Sequence, residues 1–316
     1  MLMLKFEKPL YDIREKIEEL QEIGNKSEKD MTSEIQQFEK AAEDFADELY
    51  ANLTPSQKIQ IARHPERPNF TDFVERISEN FIEFHGDREG TDDRAIVGGP
   101  AEIDGIPVMI IGTYKGKSTK ENLVHNFGMP QPQGYRKALR LFKHAERFNM
   151  PVVTLIDTPG AYPGIKAEET AQGTAIAVNL AELAKLKVPV IAVITGEGCS
   201  GGALGLAVAN KVLMLEHAYY TVISPEGCAS ILWRDASLAD KAANALKITA
   251  DDLLKFDIID EIVKEPRGGA HYDYDLAAKN LKKKILKCLK ELMPMSSDEL
   301  RNDRYDKFRT KGVIAQ

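Results

Sequence analysis

Apolar positions along this chain follow a helical period first and a strand–helix alternation afterwards. Over residues 10–53, Ile13, Ile17 and Leu20 share one face, and Ile35, Phe38, Ala42, Phe45 and Leu49 share another. A polar break at 24–30 separates the two sets, which predicts two helices, the second opening on Ser33 and Gln36 as a capping box. Thr54-Pro55 ends the hairpin. Such an arm has no chemistry of its own and is expected to pack on the main domain or on a partner subunit.

Residues 57–93 read as a helix and a polar loop, in which His85 is a loop hydrogen-bonding residue. Strand patterning starts at Ile96, and Asp104-Gly105 between the runs AEI and PVMII marks a tight hairpin. The loop GTYKGKSTKEN then gathers Lys115, Lys117 and Lys120. Next come a helix at 134–149, the strand PVVTLIDT, the turn PGAYPG and a long helix at 167–187. The same order repeats in VPVIAVITGEGCSGGALGLAVA (188–209). There an apolar run at 190–194 is followed by glycines 196, 198, 201, 202 and 205 and then by small and aliphatic residues at helical spacing. Downstream the alternation continues through KVLMLE, YYTVIS, helices at 225–233, 237–247 and 250–256, the strand IIDEIV and a final helix at 274–292. The class is α/β, and nothing within 95–293 reads as a linker.

Composition narrows the function. The net charge of −7 over 316 residues offers no broad cationic surface for nucleic acid or an anionic membrane, so any basic site is local. The N-terminal MLMLKFEKPL is too short and too charged for a signal peptide, and no apolar run approaches about 18 residues. A soluble, cytoplasmic protein is expected. Cysteines 199, 228 and 288 are too scattered for disulfides or a metal pair, and the six histidines show no ligand spacing, so no metal is predicted.

The glycine-rich stretch admits two functional readings. Backbone N–H groups freed by glycine at a helix N-terminus can face developing negative charge, as in an anion hole. Alternatively Gly196, Gly198 and Gly201 spell G-x-G-x-x-G after a strand, with Glu216 placed as a ribose-binding acid, the mark of a dinucleotide-binding oxidoreductase. No adjacent carboxylate pair, no G-x-S-x-G nucleophile elbow and no short-range histidine–acid pair is read in the chain.

Several long motifs in order decide between the two. KGKSTKEN, NFGMPQPQGYRKALRL (126–141), IDTPGAYPG (156–164), GEGCSGGALG (196–205), ISPEGCASILW (223–233) and EPRGGAH (265–271) resemble the alpha subunit of the bacterial acetyl-CoA carboxylase carboxyltransferase, nearly end to end. The resemblance implies a crotonase-like spiral of ββα units behind an N-terminal helical extension, divided as an arm (1–54), a carboxyltransferase domain (55–293) and a C-terminal tail (294–316). It also implies transfer of a carboxyl group from carboxybiotin, on the biotin carboxyl carrier protein, to acetyl-CoA, giving malonyl-CoA for fatty acid synthesis. Implied partners are a zinc-containing beta subunit, in an α2β2 assembly, and biotin carboxylase. Among the residues, it assigns Gly201 and Gly202 to an oxyanion hole for the biotin ureido oxygen, and Gly160 and Ala161 to a second turn of the site. Lys115 and Lys117 are expected as basic groups at the substrate entrance. Cys199 stands where glycine is expected, and its side chain is expected to crowd the loop slightly.

Overall fold

The computed structural model describes residues 2–27 and 31–312. Its sheet has seven strands: β1 (Ile96–Ile103), β2 (Ile106–Thr113), β3 (Val152–Thr158), β4 (Val190–Cys199), β5 (Lys211–Leu215), β6 (Tyr219–Thr221) and β7 (Glu261–Val263). Their order is β1-β2-β3-β4-β5-β7, with β6 on the far end of β4. Only β1 and β2 pair antiparallel, through Asp104 and Gly105 at φ 48 and 74, the two positive values that a primed hairpin turn requires. The other pairs are parallel. Every residue of β3 and β4 is buried, which is why neither strand shows apolar–polar alternation.

Helices cover the sheet. The arm is α1 (Lys8–Ser27) and α2 (Thr32–Ala51); then follow α3 (Pro55–Ala62), α4 (Phe70–Ile77), α5 (Thr119–Val124), α6 (Pro132–Arg147), α7 (Ile165–Glu169), α8 (Gln172–Lys185) and α9 (Ser200–Ala207). The chain closes with α10 (Pro225–Trp233), α11 (Ala239–Leu246), α12 (Ala250–Lys255), α13 (Tyr274–Leu292) and α14 (Ser297–Thr310). None of the described helices is long and apolar enough to cross a membrane.

Outside the site the structure departs from the sequence expectations at several places, the first being that the segment read as one helix and a polar loop over 57–93 carries both α3 and α4. Helix α1 runs through Gly24 to Ser27, so the break is shorter than 24–30; residues 28–30 lie outside the described part. Met31, not Ser33, precedes α2 and makes no side-chain cap, whereas a capping box does form at Thr54 and Gln57 on α3. The helix expected over 167–187 is split because Ala171 takes φ 66, a left-handed conformation that no helix interior accepts. Finally α13 is not the last helix. Residues 297–310, read as tail, form α14, capped by Ser296 and Glu299, with Leu300 and Arg304 buried.

Both added ends are tied to the main body. Glu7 is buried and accepts from Tyr50 Oη at 2.8 Å and Tyr272 Oη at 3.3 Å, while Arg267 pairs with Glu43 at 2.7 Å and Asp47 at 2.9 Å. Packing of the arm on the main domain is therefore realised. At the other end Arg304 Nη1 donates to the Val188 carbonyl at 3.1 Å, and Asn210 Nδ2 donates to the Leu300 carbonyl at 2.9 Å.

Candidate active site

Strand β4 does not stop at Ile194. It carries Gly196 and Gly198 in extended form to Cys199, paired with β6 from Glu197 to Cys199. Gly196 is required by proximity, since a Cβ there would lie 2.5 Å from Asp157 Oδ1. Ser200, at φ 57, then turns the strand directly into α9 without a loop. Gly198-Cys199-Ser200-Gly201-Gly202 is thus a G-x-S-x-G elbow after all, in sequence and in geometry, which corrects the expectation that there is none. The Ser200 side chain is exposed and no described histidine is hydrogen-bonded to it, so the elbow lacks the base that would activate a nucleophile. The same geometry removes the dinucleotide reading. Two of its three glycines lie inside a strand, and Glu216 is engaged with Lys264 and with the Glu265 N–H at 3.2 Å.

Gly201 and Gly202 occupy the first turn of α9, where N–H groups have no intrahelical acceptor and the helix dipole favours negative charge. A Cβ on Gly202 would lie 2.4 Å from Ala161 N and 2.5 Å from Gly160 C, so the turn after β3 rests directly on this glycine. The structure therefore brings Gly160 and Ala161 together with Gly202, and Gly201 stands next to it. Within the β3 turn the Gly160 N–H is already used, donating to Thr158 Oγ1 at 3.1 Å. Ala161 N–H has no acceptor among the described residues, which makes it the available donor of this turn. Tyr135 Oη donates to the Gly202 carbonyl at 3.1 Å and holds α9 from behind.

Cys199 does not crowd this turn. It is extended and buried in the core, where burial pushes its thiol up to about 12 and keeps it unreactive. Lys115 and Lys117 line one polar cleft of about 480 Å³ with Asp157, Pro159 and Glu197, and both are ion-paired. Lys117 Nζ, on a half-exposed side chain, reaches Asp72 at 2.7 Å. Lys115 Nζ lies 2.6 Å from Asp157 Oδ1 and 2.7 Å from Glu197 Oε1. A second cavity, of about 500 Å³ and mainly apolar, reaches Ser200 and Gly201 from between β6 and α14.

Asp157 and Glu197 are the site residues that sequence reading passed over. They form a carboxylate pair across two strands, 40 residues apart, which a search for adjacent acids cannot find. The available signal was a single acid in each of two buried strands. Glu197 also accepts from Arg63 Nε at 2.8 Å and from Tyr219 Oη. Burial pushes the Glu197 carboxyl up, but Lys115 and Arg63 outweigh it and hold it at about 2. The same two acids overcome burial at Lys115 and raise its ammonium above the ordinary lysine range.

Known proteins share this fold and much of this sequence. Solved structures with a similar fold include a transcarboxylase 12S core with methylmalonyl-coenzyme A bound (TM-score 0.59, 18% identity, 72% of this chain and 42% of that one). Another is the beta subunit of P. aeruginosa geranyl-CoA carboxylase (TM-score 0.56, 16% identity, 78% of this chain and 46% of that one). The chain thus spans less than half of either, and the likeness shows the fold alone, a crotonase-like one. In sequence it is 53% identical to the acetyl-coenzyme A carboxylase carboxyl transferase subunit alpha of Prochlorococcus marinus (98% of this chain, 94% of the relative). It is 51% identical to that of Synechococcus elongatus (100% and 96%). The family model described as acetyl co-enzyme A carboxylase carboxyltransferase-like matches residues 3–312, and with half of all positions shared with its curated members, this chain belongs to that family.

Proposed function

We propose that this chain is the alpha subunit of a carboxyltransferase that moves a carboxyl group from carboxybiotin to acetyl-CoA, forming malonyl-CoA. The observation that carries the reading is the contact of Gly202 with the Gly160-Ala161 turn, which sets amide donors from two turns side by side. Carboxybiotin, when bound, would supply the carboxyl group, and negative charge would build on its ureido oxygen and on the thioester oxygen of acetyl-CoA. Gly201 and Gly202 N–H groups stabilise the ureido oxygen, and Ala161 supplies a further donor. Each preorganised donor contributes about 2.7–4 kcal/mol at such a site. The ureido nitrogen left when the carboxyl group departs would be available for the proton that the acetyl methyl carbon loses, so no side chain need act as base.

In this reading the acetyl-CoA half of the site lies on a zinc-containing beta subunit and Lys117 faces the incoming substrate. The division is arm (1–54), carboxyltransferase domain (55–293) and C-terminal segment (294–316). The complex is α2β2 in the cytoplasm, served by the biotin carboxyl carrier protein and biotin carboxylase. Co-purification with the beta chain and a malonyl-CoA assay test the proposal. Carboxyl transfer that requires both chains supports it; a complex that forms no malonyl-CoA from carboxybiotin and acetyl-CoA overturns it.

A further inference from the structure

Strands β3 and β4 pair residue for residue from Val152 with Val190 to Ile156 with Ile194, and the next pair is Thr158 with Gly198. Between those pairs β3 advances by two residues and β4 by four, so β4 bulges just before it enters α9. The Asp157 carboxylate fills the bulge. Its Oδ1 accepts the Glu197 N–H at 2.8 Å, and its own N–H donates to Thr113 Oγ1 at 2.7 Å. Lys115 Nζ then bridges Asp157 Oδ1 and Glu197 Oε1, the two acids that stand just ahead of the two turns. The remaining Glu197 oxygen is held by Arg63 and Tyr219.

We propose that Lys115 is a positioning residue: by clamping Asp157 to Glu197 across the β4 bulge it fixes the separation of the Gly160-Ala161 turn from the Gly201-Gly202 turn. The inference rests on the carboxyl-transfer reading for what the turns do, but not for how they are held. The clearance between them is small, since even a Cβ on Gly202 would sit 2.4 Å from Ala161 N. Removing one charge from the bridge leaves two buried carboxylates facing each other, which drives the strand ends apart. A lysine that instead met substrate directly would show its loss in KM.

The test uses the reconstituted complex with beta and three variants: Lys115→Met, Lys115→Arg and Glu197→Gln. Lys115→Met should lower kcat on the order of 100-fold, with KM for acetyl-CoA and for the biotin donor within about threefold of wild type. Lys115→Arg should recover most of the rate with an unshifted pH profile, and Glu197→Gln, of equal size, should fall between the two. Hydrogen exchange of peptides spanning 157–164 and 197–204 should rise in Lys115→Met while the rest of the sheet stays protected. That readout holds whatever the reaction is, so failure of the carboxyl-transfer reading, seen as an inactive wild-type complex, is told apart from failure of the positioning role. Raised KM with unchanged kcat, a shifted alkaline limb in Lys115→Arg, or unaltered exchange in both turns would each overturn the inference. Should Lys115→Met not fold, an undiminished kcat in Glu197→Gln does the same.

Discussion

Replacing Gly202 by alanine loads the contact between the two turns directly. The added carbon would lie 2.4 Å from Ala161 N, 2.5 Å from Gly160 C and 2.8 Å from Gly160 Cα, all main-chain atoms that cannot rotate aside. Non-bonded carbons rest at about 3.5–4.0 Å, so the β3 turn must retreat by roughly 1 Å. Oxyanion donors act at about 2.7–3.1 Å from the oxygen, and that retreat carries the Ala161 N–H out of range while Gly201 and Gly202 keep theirs. Loss of one donor corresponds to about 2.7–4 kcal/mol, or roughly 10²–10³-fold in kcat. Overpacking adds about 1–3 kcal/mol of lost stability, to be followed by thermal unfolding of the same sample. The assay is malonyl-CoA formation by the alpha–beta complex at saturating carboxybiotin. Gly201→Ala is the matched control, because its Cβ would meet nothing nearer than Ile176 at 3.7 Å and its N–H is kept. Gly205→Ala is no silent control: its methyl would sit 2.9 Å from the Tyr135 ring, which holds the Gly202 carbonyl. A folded, assembled Gly202→Ala enzyme with kcat within about threefold of wild type would refute the paired-turn reasoning.

The remaining expectations concern assembly, acid and the buried charges. The isolated chain should give no measurable carboxyl transfer, and mixing with beta should restore it; robust turnover by the pure chain contradicts a shared site. Deleting residues 1–54 should weaken association with beta, read by sedimentation, and loosen the 265–272 loop through loss of the Glu7–Tyr272 contact, while the assembled fraction keeps its kcat; normal assembly rules the arm out as an interface. Burial, helped by His64 and Arg67, lowers His271 from 6.5 to about 3, so the unfolded chain takes up this proton first, and stability is full above pH 6.5 and declines as pH falls toward 3. The slope approaches about 1.4 kcal/mol per pH unit, and His271→Phe should flatten that window in urea titrations; an unchanged slope rejects the assignment. Glu197 and Glu265, each held at about 2 against an ordinary 4.5, lose their contribution only as pH falls from 4.5 toward 2. Arg67→Met strands the buried Glu265 charge, 2.7 Å from its guanidinium, and should cost about 3–5 kcal/mol by chemical denaturation; a cost below about 1 kcal/mol would show the pair to be dispensable.

What the chain reveals of itself depends on how local the cause is. The Asp104-Gly105 turn is legible because both residues must take positive φ, and helices 225–233 and 274–292 are found at those bounds because periodicity and caps coincide. Strand β4 misleads because glycine ordinarily signals a turn, whereas Gly196 is there to admit Asp157 from the neighbouring strand. Helix α14 is hidden by its composition: SDELRNDRYDKFRT is mostly charged, and its anchor, Arg304, is a residue type seldom buried. The pairing of the two turns came from family resemblance, since no count of glycines says that Gly202 touches Gly160 and Ala161. The Lys115 bridge spans 82 residues to Glu197 and has no local signature at all.

Helix α14 also sets an order of events. Arg304 reaches the Val188 carbonyl at the root of β4, and Lys307 Nζ donates to the Asn210 carbonyl ahead of β5 at 2.6 Å. Translation delivers these residues after every strand of the sheet, so on the ribosome the central strands can meet while their roots are still wet. The sheet is sealed only once α14 has followed it off the ribosome. A nascent chain cut short before residue 297 would hold every residue of the two turns and still be an unfinished object, open at the foot of its innermost strand.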